Sequence, residues 1–247
     1  MIRPRSLSGV LLLTALIQVP CAVGAQVAAG QTDTFQTGIE NWFFGGGPFG
    51  VGPIAADRVL NGGPQGSGDA FMMVVSNGQE GPGSRLTVSN ATQWAGDYRA
   101  AGISHIGMWV NNLGSTDLSL RMAFETLGPT GPTNIAFSSA AVVLNAGSGW
   151  QQILFPILGS ALLNVPIPGS SVEGAMTNTT LIRLYHSPEN NVPNPFNPIP
   201  PVVAVLGVDD ISALVIPEPS TFMLLVTGVL GLFMVRRRQR GRSETTS

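Results

Sequence analysis

"LSLRMAFE", residues 118–125, alternates apolar and polar side chains with a period of two. Leu118, Leu120, Met122 and Phe124 share one side, and Ser119, Arg121 and Glu125 the other. That period belongs to a β-strand with one face on a core and one face wet. No stretch between about Gln31 and Val215 sustains a helical apolar period beyond a couple of turns. Short apolar runs recur instead between Gly, Pro, Asn and Ser clusters. Strands are predicted near Thr32–Phe35, Ala70–Val75, Ser84–Val88, His105–Val110, Leu118–Glu125, Ile135–Leu144, Trp150–Phe155, Leu181–His186 and Val202–Leu214. With no βα rhythm and no repeat of fixed period, they predict an all-β, antiparallel, jelly-roll-like β-sandwich over residues 26–214.

Composition supports a turn-rich, weakly charged body. Of 247 residues, 31 are glycine and 19 proline, and 11% are charged, against about a quarter in an average soluble protein. All twelve basic residues are arginine, and seven lie in the terminal segments: Arg3, Arg5, Arg236, Arg237, Arg238, Arg240 and Arg242. Between Gln26 and Pro217 twelve acids face five arginines, a net charge of −7. A surface of that sign repels phosphate backbones, so nucleic acid is not an expected partner.

The two ends read as targeting segments. Arg3 and Arg5 precede an apolar stretch, Val10 to Val19, and Val23-Gly24-Ala25 supplies small residues for cleavage, so residues 1–25 are expected to be a signal peptide. The single cysteine, Cys21, lies inside it, which leaves no disulfide to a processed chain. At the other end, residues 215–247 begin with Pro217-Glu218-Pro219, continue through the uncharged run Thr221–Val235 and finish with five arginines. As a helix the run reaches about 22 Å, short for a hydrocarbon core of about 30 Å. One transmembrane helix over 220–235 is expected, lengthened by snorkelling arginines. The arginines hold the C-terminus in the cytoplasm by the positive-inside rule and leave the acidic body outside. Two prolines around a glutamate keep the tripeptide extended where it meets the membrane.

Val215-Ile216-Pro217-Glu218-Pro219-Ser220-Thr221, the apolar run and the arginine cluster resemble the PEP-CTERM protein-sorting tail of exopolysaccharide-producing Gram-negative bacteria. The resemblance implies that an exosortase, an integral-membrane cysteine transpeptidase, recognises Pro217, Glu218 and Pro219. It would move the protein from an inner-membrane anchor to the cell surface or the medium. A second resemblance is spread over the body. Asp33-Thr34-Phe35 followed by Trp42, Gly96-Asp97-Tyr98-Arg99 leading into Ile103–Val110, Gly149–Ile153, and Leu206–Ser212 follow the order of elements in laminin-B-like and galactose-binding-like jelly rolls.

Chemistry in the body is sparse at this level. If the terminal strands pair, Asp33 lies near Asp209 and Asp210, and neighbouring carboxylates with main-chain carbonyls suit a hard cation such as Ca²⁺. In galactose-binding-like modules a structural calcium often occupies that place. The plainer reading makes Asp209 and Asp210 solvated turn residues. No other cofactor is expected. His105 and His186 both lie in strand-like runs, and no nucleophile elbow, zinc-protease helix or phosphate loop occurs. The expected function is that of a non-enzymatic surface or matrix module contacting exopolysaccharide, with a secreted polysaccharide hydrolase, for instance one using Glu125 opposite a second carboxylate, as the alternative. Most tryptophans of a sandwich go to its core. Trp94, beside Gly96 and Asp97, is the one expected at the surface as a ligand contact.

Overall fold

The computed structural model describes residues 26–44, 54–79, 84–189 and 200–217. The expected signal peptide, Glu218, Pro219, the transmembrane segment 220–235, the terminal arginines and most of the proline-rich insertion between Ser187 and Pro201 lie outside those residues. No helix among the described residues is long and apolar enough to cross a membrane.

Two antiparallel sheets enclose one main core. The first has the order β11 (Trp150–Pro156), β7 (His105–Asn112), β14 (Val203–Leu214), β5 (Phe71–Asn77), β4 (Asp57–Val59), and β1 (Thr32–Asp33) joins it on β14. The second runs β12 (Leu162–Asn164), β9 (Gly131–Ser138), β8 (Leu118–Gly128), β13 (Leu181–His186), β6 (Thr87–Asn90), β2 (Phe43–Phe44), β3 (Ile54–Ala55), and β10 (Val142–Leu144) joins it on β8. All nine expected strands are present, though the 135–144 stretch divides into β9 and β10. The short strands β2, β3, β4 and β12 and the helix α1 (Val172–Thr177) carry too little periodicity to be read from sequence. Helix α1 has a local cause: the Oγ of Ser171 accepts from the Gly174 N–H at 2.8 Å and caps its first turn.

The 118–125 stretch does as its period predicts on one side. Leu118, Leu120, Met122 and Phe124 are all fully buried between the sheets. The other side is not wet. Arg121 and Glu125 are 4% and 1% exposed, and a second apolar cluster of Ala123, Ile135, Phe137, Tyr185 and Val165 lies there with Ile167. The strand is therefore covered on both faces. Alternating polarity cannot report that, because a polar side chain that finds partners is buried as readily as an apolar one.

β14 organises the first sheet. It pairs with β7 from Leu206 to Leu214, with β5 from Val203 to Val208, and with β1 at Ile211 and Ser212. The register shifts between Asp209 and Ser212, and Asp210 takes a φ of 47°. This bulge inserts one residue, so that Val208 and Ile211, three apart, both reach the core. Truncating Phe124 to alanine should cost about 3–5 kcal/mol, whereas Val143→Ala, at a site 63% exposed, should stay within about 0.5 kcal/mol. Urea unfolding of the two variants checks the difference.

Candidate functional site

Where β1 replaces β5 beside β14, the chain buries acids. Asp33 Oδ2 accepts three hydrogen bonds, from Trp94 Nε1 at 2.6 Å, Trp42 Nε1 at 2.7 Å and Gln93 Nε2 at 2.9 Å. Both indoles are fully buried and their rings tilt against each other with centroids 6.3 Å apart. Bonds of this kind to a charged acceptor contribute roughly 1.5–3 kcal/mol each. Trp94 is thus a core residue pinned to Asp33, contrary to its expected place at the surface. The tryptophans that keep some exposure are Trp109 and Trp150.

The expected strand pairing places Asp33 opposite Ile211, close in register to Asp209 and Asp210. Around them lie two acids that the sequence did not single out. Glu40 hydrogen-bonds the Asp33 carboxyl. Burial first, and then the charge of Asp33, push Glu40 up to about 7, with the main chain at Phe35 and Thr34 pulling the other way. Asp209 is fully buried and is likewise raised to about 7, chiefly by burial, with smaller contributions from Asp210, Asp69 and Glu40. Asp69 accepts from the Gln65 N–H at 2.8 Å and from Gln36 Nε2 at 2.6 Å, and Asp210 accepts from Gln65 Nε2 at 2.9 Å. Gly63 fills the space between two of these groups. A Cβ there would collide with Asp69 Oδ2 and come within 3.2 Å of Asp209 Oδ2.

Two carboxylate oxygens at this seam, Glu40 Oε2 and Asp209 Oδ2, are buried with no hydrogen-bond partner. Among the described residues, four non-glycine residues take left-handed backbone, Phe35, Glu40, Asn41 and Asp210, and all four are here. For Phe35 and Glu40, which lack the local hydrogen bonding open to Asn and Asp, that conformation costs about 1–2 kcal/mol each. Strain and orphaned charge coincide, a combination common where a ligand completes a structure. Unpartnered carboxylate oxygens are the donors a hard cation takes. The fit is by these oxygens rather than by a ready-made cage, since among the described residues no three His, Cys, Asp or Glu side chains gather at metal-ligand spacing. Asp33, with three donors on Oδ2, serves as an indole clamp more than as a ligand.

The other end of the site is the exit of β14. Ser104 N–H donates to the Leu214 carbonyl at 2.9 Å, and the Ile216 N–H donates to Ser104 Oγ at 2.8 Å. Val215, Ile216 and Pro217 are exposed, so only Val215 and Ile216 separate the last strand from the tripeptide. Residues 215–238 match the PEP-CTERM protein-sorting motif. The chain carries that sorting signal. PEP-CTERM proteins are exported and sorted at the cell envelope, and here the signal continues directly from the central strand of a sheet.

No curated protein matches the chain. Among solved structures, the chain is similar to CtCBM11 in solution, at 16% identity and a TM-score of 0.49, covering 77% of this chain and 98% of that one. It is also similar to a family 11 carbohydrate-binding module from Clostridium thermocellum in complex with a β-1,3-1,4-mixed-linked tetrasaccharide, at 15% identity and a TM-score of 0.48, covering 76% and 96%. Nothing about the chemistry of this chain follows from likenesses of that size.

A metal-free protein should lose stability as pH rises. Folded Glu40 and Asp209 keep their protons up to about pH 7, while unfolded they release them near pH 4. Their contribution is therefore fully present below about pH 4 and lost as pH rises through 7. Thermal melts in chelator at about pH 5.5 and pH 8 check this, and Asp209→Asn should flatten the slope. A stability that climbs over that interval would contradict the assignment.

Proposed function

We propose that the protein is an exported, surface-directed, non-enzymatic β-sandwich module. An exosortase processes it through Pro217-Glu218-Pro219, and a bound calcium ion braces its body where the terminal strands meet. The observation that carries this reading is the sorting motif starting at Val215, one residue after β14 ends. Export through a cleaved signal peptide, a transient inner-membrane span with the arginines in the cytoplasm, and release to the surface follow as one route. Outside the cell the acidic body meets exopolysaccharide.

Calcium suits that compartment and that seam. Glu40 and Asp209 would hold it through the oxygens that lack partners, with Asp69 alongside, and the ion would supply the positive charge that the buried acids need. Aqueous calcium in the millimolar range outside a cell is enough for a site of modest affinity. The rival reading as a hydrolase requires two carboxyls about 5–10 Å apart across a groove. Glu125, its best candidate, is held instead by Arg183, with Nε to Oε1 at 2.9 Å and Nη2 to Oε2 at 3.2 Å. Both oxygens of that carboxyl are thus spent on the guanidinium, and it is 1% exposed, so it faces no groove.

Fractionation of cells producing the wild type and a variant with Pro217, Glu218 and Pro219 all changed to alanine tests the sorting step. The wild type is expected outside the cell in a shortened form, and the variant at full length in the inner membrane. Identical behaviour of the two would refute processing at this tripeptide.

A further inference from the structure

Trp109 and Trp150, the two tryptophans that keep some exposure, stand on the same side of the first sheet. Ile106, Met108 and Val110 of β7 belong to the main core, as do Ile153 and Phe155 of β11, so the residues between them face outward. Directly opposed residues share a face, and register therefore sets out this outer side. One row crosses five strands through Trp150, Asn111, Gly207, Met73 and Asp57 and spans about 19 Å. The next row runs from Gln152 through Trp109 to Asp209. This side is open to solvent. Gln152, Leu154 and Asp57 are exposed, and both tryptophans and Asn111 are half-buried.

Trp150 is fixed in place without being buried. Its ring reaches Gly207, where a Cβ would come within 2.9 Å of Trp150 Cη2 and 3.3 Å of Phe71 Cε2. Glycine weakens a strand interior and often marks a place where another group must approach closely. The Trp150 Nε1 donates to the Gly62 carbonyl at 2.9 Å, and the ring meets Phe71 edge-on with centroids 5.2 Å apart. An indole held on three sides while one part stays exposed has already met most of its ordering cost before a ligand arrives. One row beyond Trp109, a Cβ at Gly107 would come within 2.8 Å of Leu214 and 3.1 Å of Leu154. The two leucines cover that glycine and extend the apolar strip along β7.

Charge decides which ligand suits the strip. No arginine occupies an outward position on these strands. Arg58 is opposite Met72, which faces the core, and donates to the carbonyls of Phe35 and Gln36. The charged groups on the outer side are carboxylates, Asp57 at the end of one row and Asp209 in the next. An anionic chain is repelled there. We infer that this outer side of the first sheet, centred on Trp109 and Trp150, binds an uncharged polysaccharide. The inference rests on the reading of the body as a module that meets glycan outside the cell, and it names the site and the class of glycan. The C–H groups on one face of a pyranose ring are matched to the negative face of an indole. Its hydroxyls both donate and accept, which satisfies the amides of Asn111 and Gln152 and the carboxylate of Asp57. A second protein surface is a poorer match, because it would have to bury those polar groups and supply a partner for each.

The test uses the full chain in a detergent without a sugar headgroup. Calorimetry and tryptophan fluorescence measure binding of β-linked gluco-, xylo- and manno-oligosaccharides, and of oligogalacturonate for comparison. At least one uncharged oligosaccharide is expected to bind, with a change in tryptophan emission and little dependence on salt, and oligogalacturonate to bind more weakly. Trp109→Ala should lower the affinity about tenfold or more. Gly207→Ala keeps every aromatic residue but displaces the Trp150 ring, and a comparable loss is expected, with thermal melts showing that the fold is retained. Val143→Ala, in the second sheet, should leave binding unchanged. Binding that survives both Trp109→Ala and Gly207→Ala would overturn this site while leaving a glycan-binding module. A preference for oligogalacturonate would overturn the uncharged class. Binding of no oligosaccharide would overturn both the site and the glycan reading, and self-association abolished by Trp109→Ala in its place would assign the face to a second copy of the chain.

Discussion

A single carboxylate oxygen, Asp33 Oδ2, fixes how the two ends of the body come together. Three N–H donors converge on it, two of them from indoles that are fully buried. Removing the acceptor would leave two buried indole N–H groups unsatisfied, at roughly 1–3 kcal/mol apiece. The position of β1, the placing of Trp42 and Trp94 in the core and the seating of the Glu40 turn therefore depend on one another. Because the donors are spent on Asp33, its neighbours are left short. Glu40 and Asp209 retain oxygens with no partner, and burial above all raises their proton affinities. A fold that buries negative charge this way requires either protons or a cation to complete it.

The same seam fixes the mechanics of the sorted protein. β14 is the strand that β1, β5 and β7 all pair with, and it is also the strand from which the sorting motif continues. Whatever the tail is joined to, force applied there is taken first by a strand held by three neighbours, and Ser104 ties the residues on either side of the exit to the start of β7. The bulge at Asp209 and Asp210 is the irregularity in that strand. A cation at the bulge would stiffen the element that bears the load.

The parts of the fold that could be read from sequence are those with a strong period. Leu118–Phe124 gave its core face, and the strands at Phe71, His105, Trp150, Leu181 and Val203 fall within a residue or two of their expected limits, because β-branched and apolar residues recur over enough positions, whereas the stretches at 84–88 and 135–144 shift or divide. Two-residue strands such as Phe43–Phe44 have no period to detect. Burial of polar side chains was the larger gap. Arg121 and Glu125 look like surface residues until Val165 and Ile167 are seen to cover that side. Trp94 follows the same logic in reverse, since its partner Asp33 is 61 residues away. Asp33, Asp209 and Asp210 could be grouped in advance from the pairing of terminal strands, but Glu40 and Asp69 come from loops whose course only the tertiary structure defines. The sorting motif was the most legible feature of all, because its meaning lies in a linear order of residues and not in a fold.

The cation proposed for the seam is most directly tested by terbium luminescence. Tb³⁺ takes the oxygen ligands that Ca²⁺ takes, and Trp42 and Trp94, both bonded to Asp33, are within reach to transfer excitation energy to it. Excitation of tryptophan in the chelator-treated protein should produce terbium emission that saturates, is displaced by excess Ca²⁺ and is lost in Asp209→Asn. A wild-type protein that gives no sensitised emission, or emission unaffected by both Ca²⁺ and the substitution, would contradict the account.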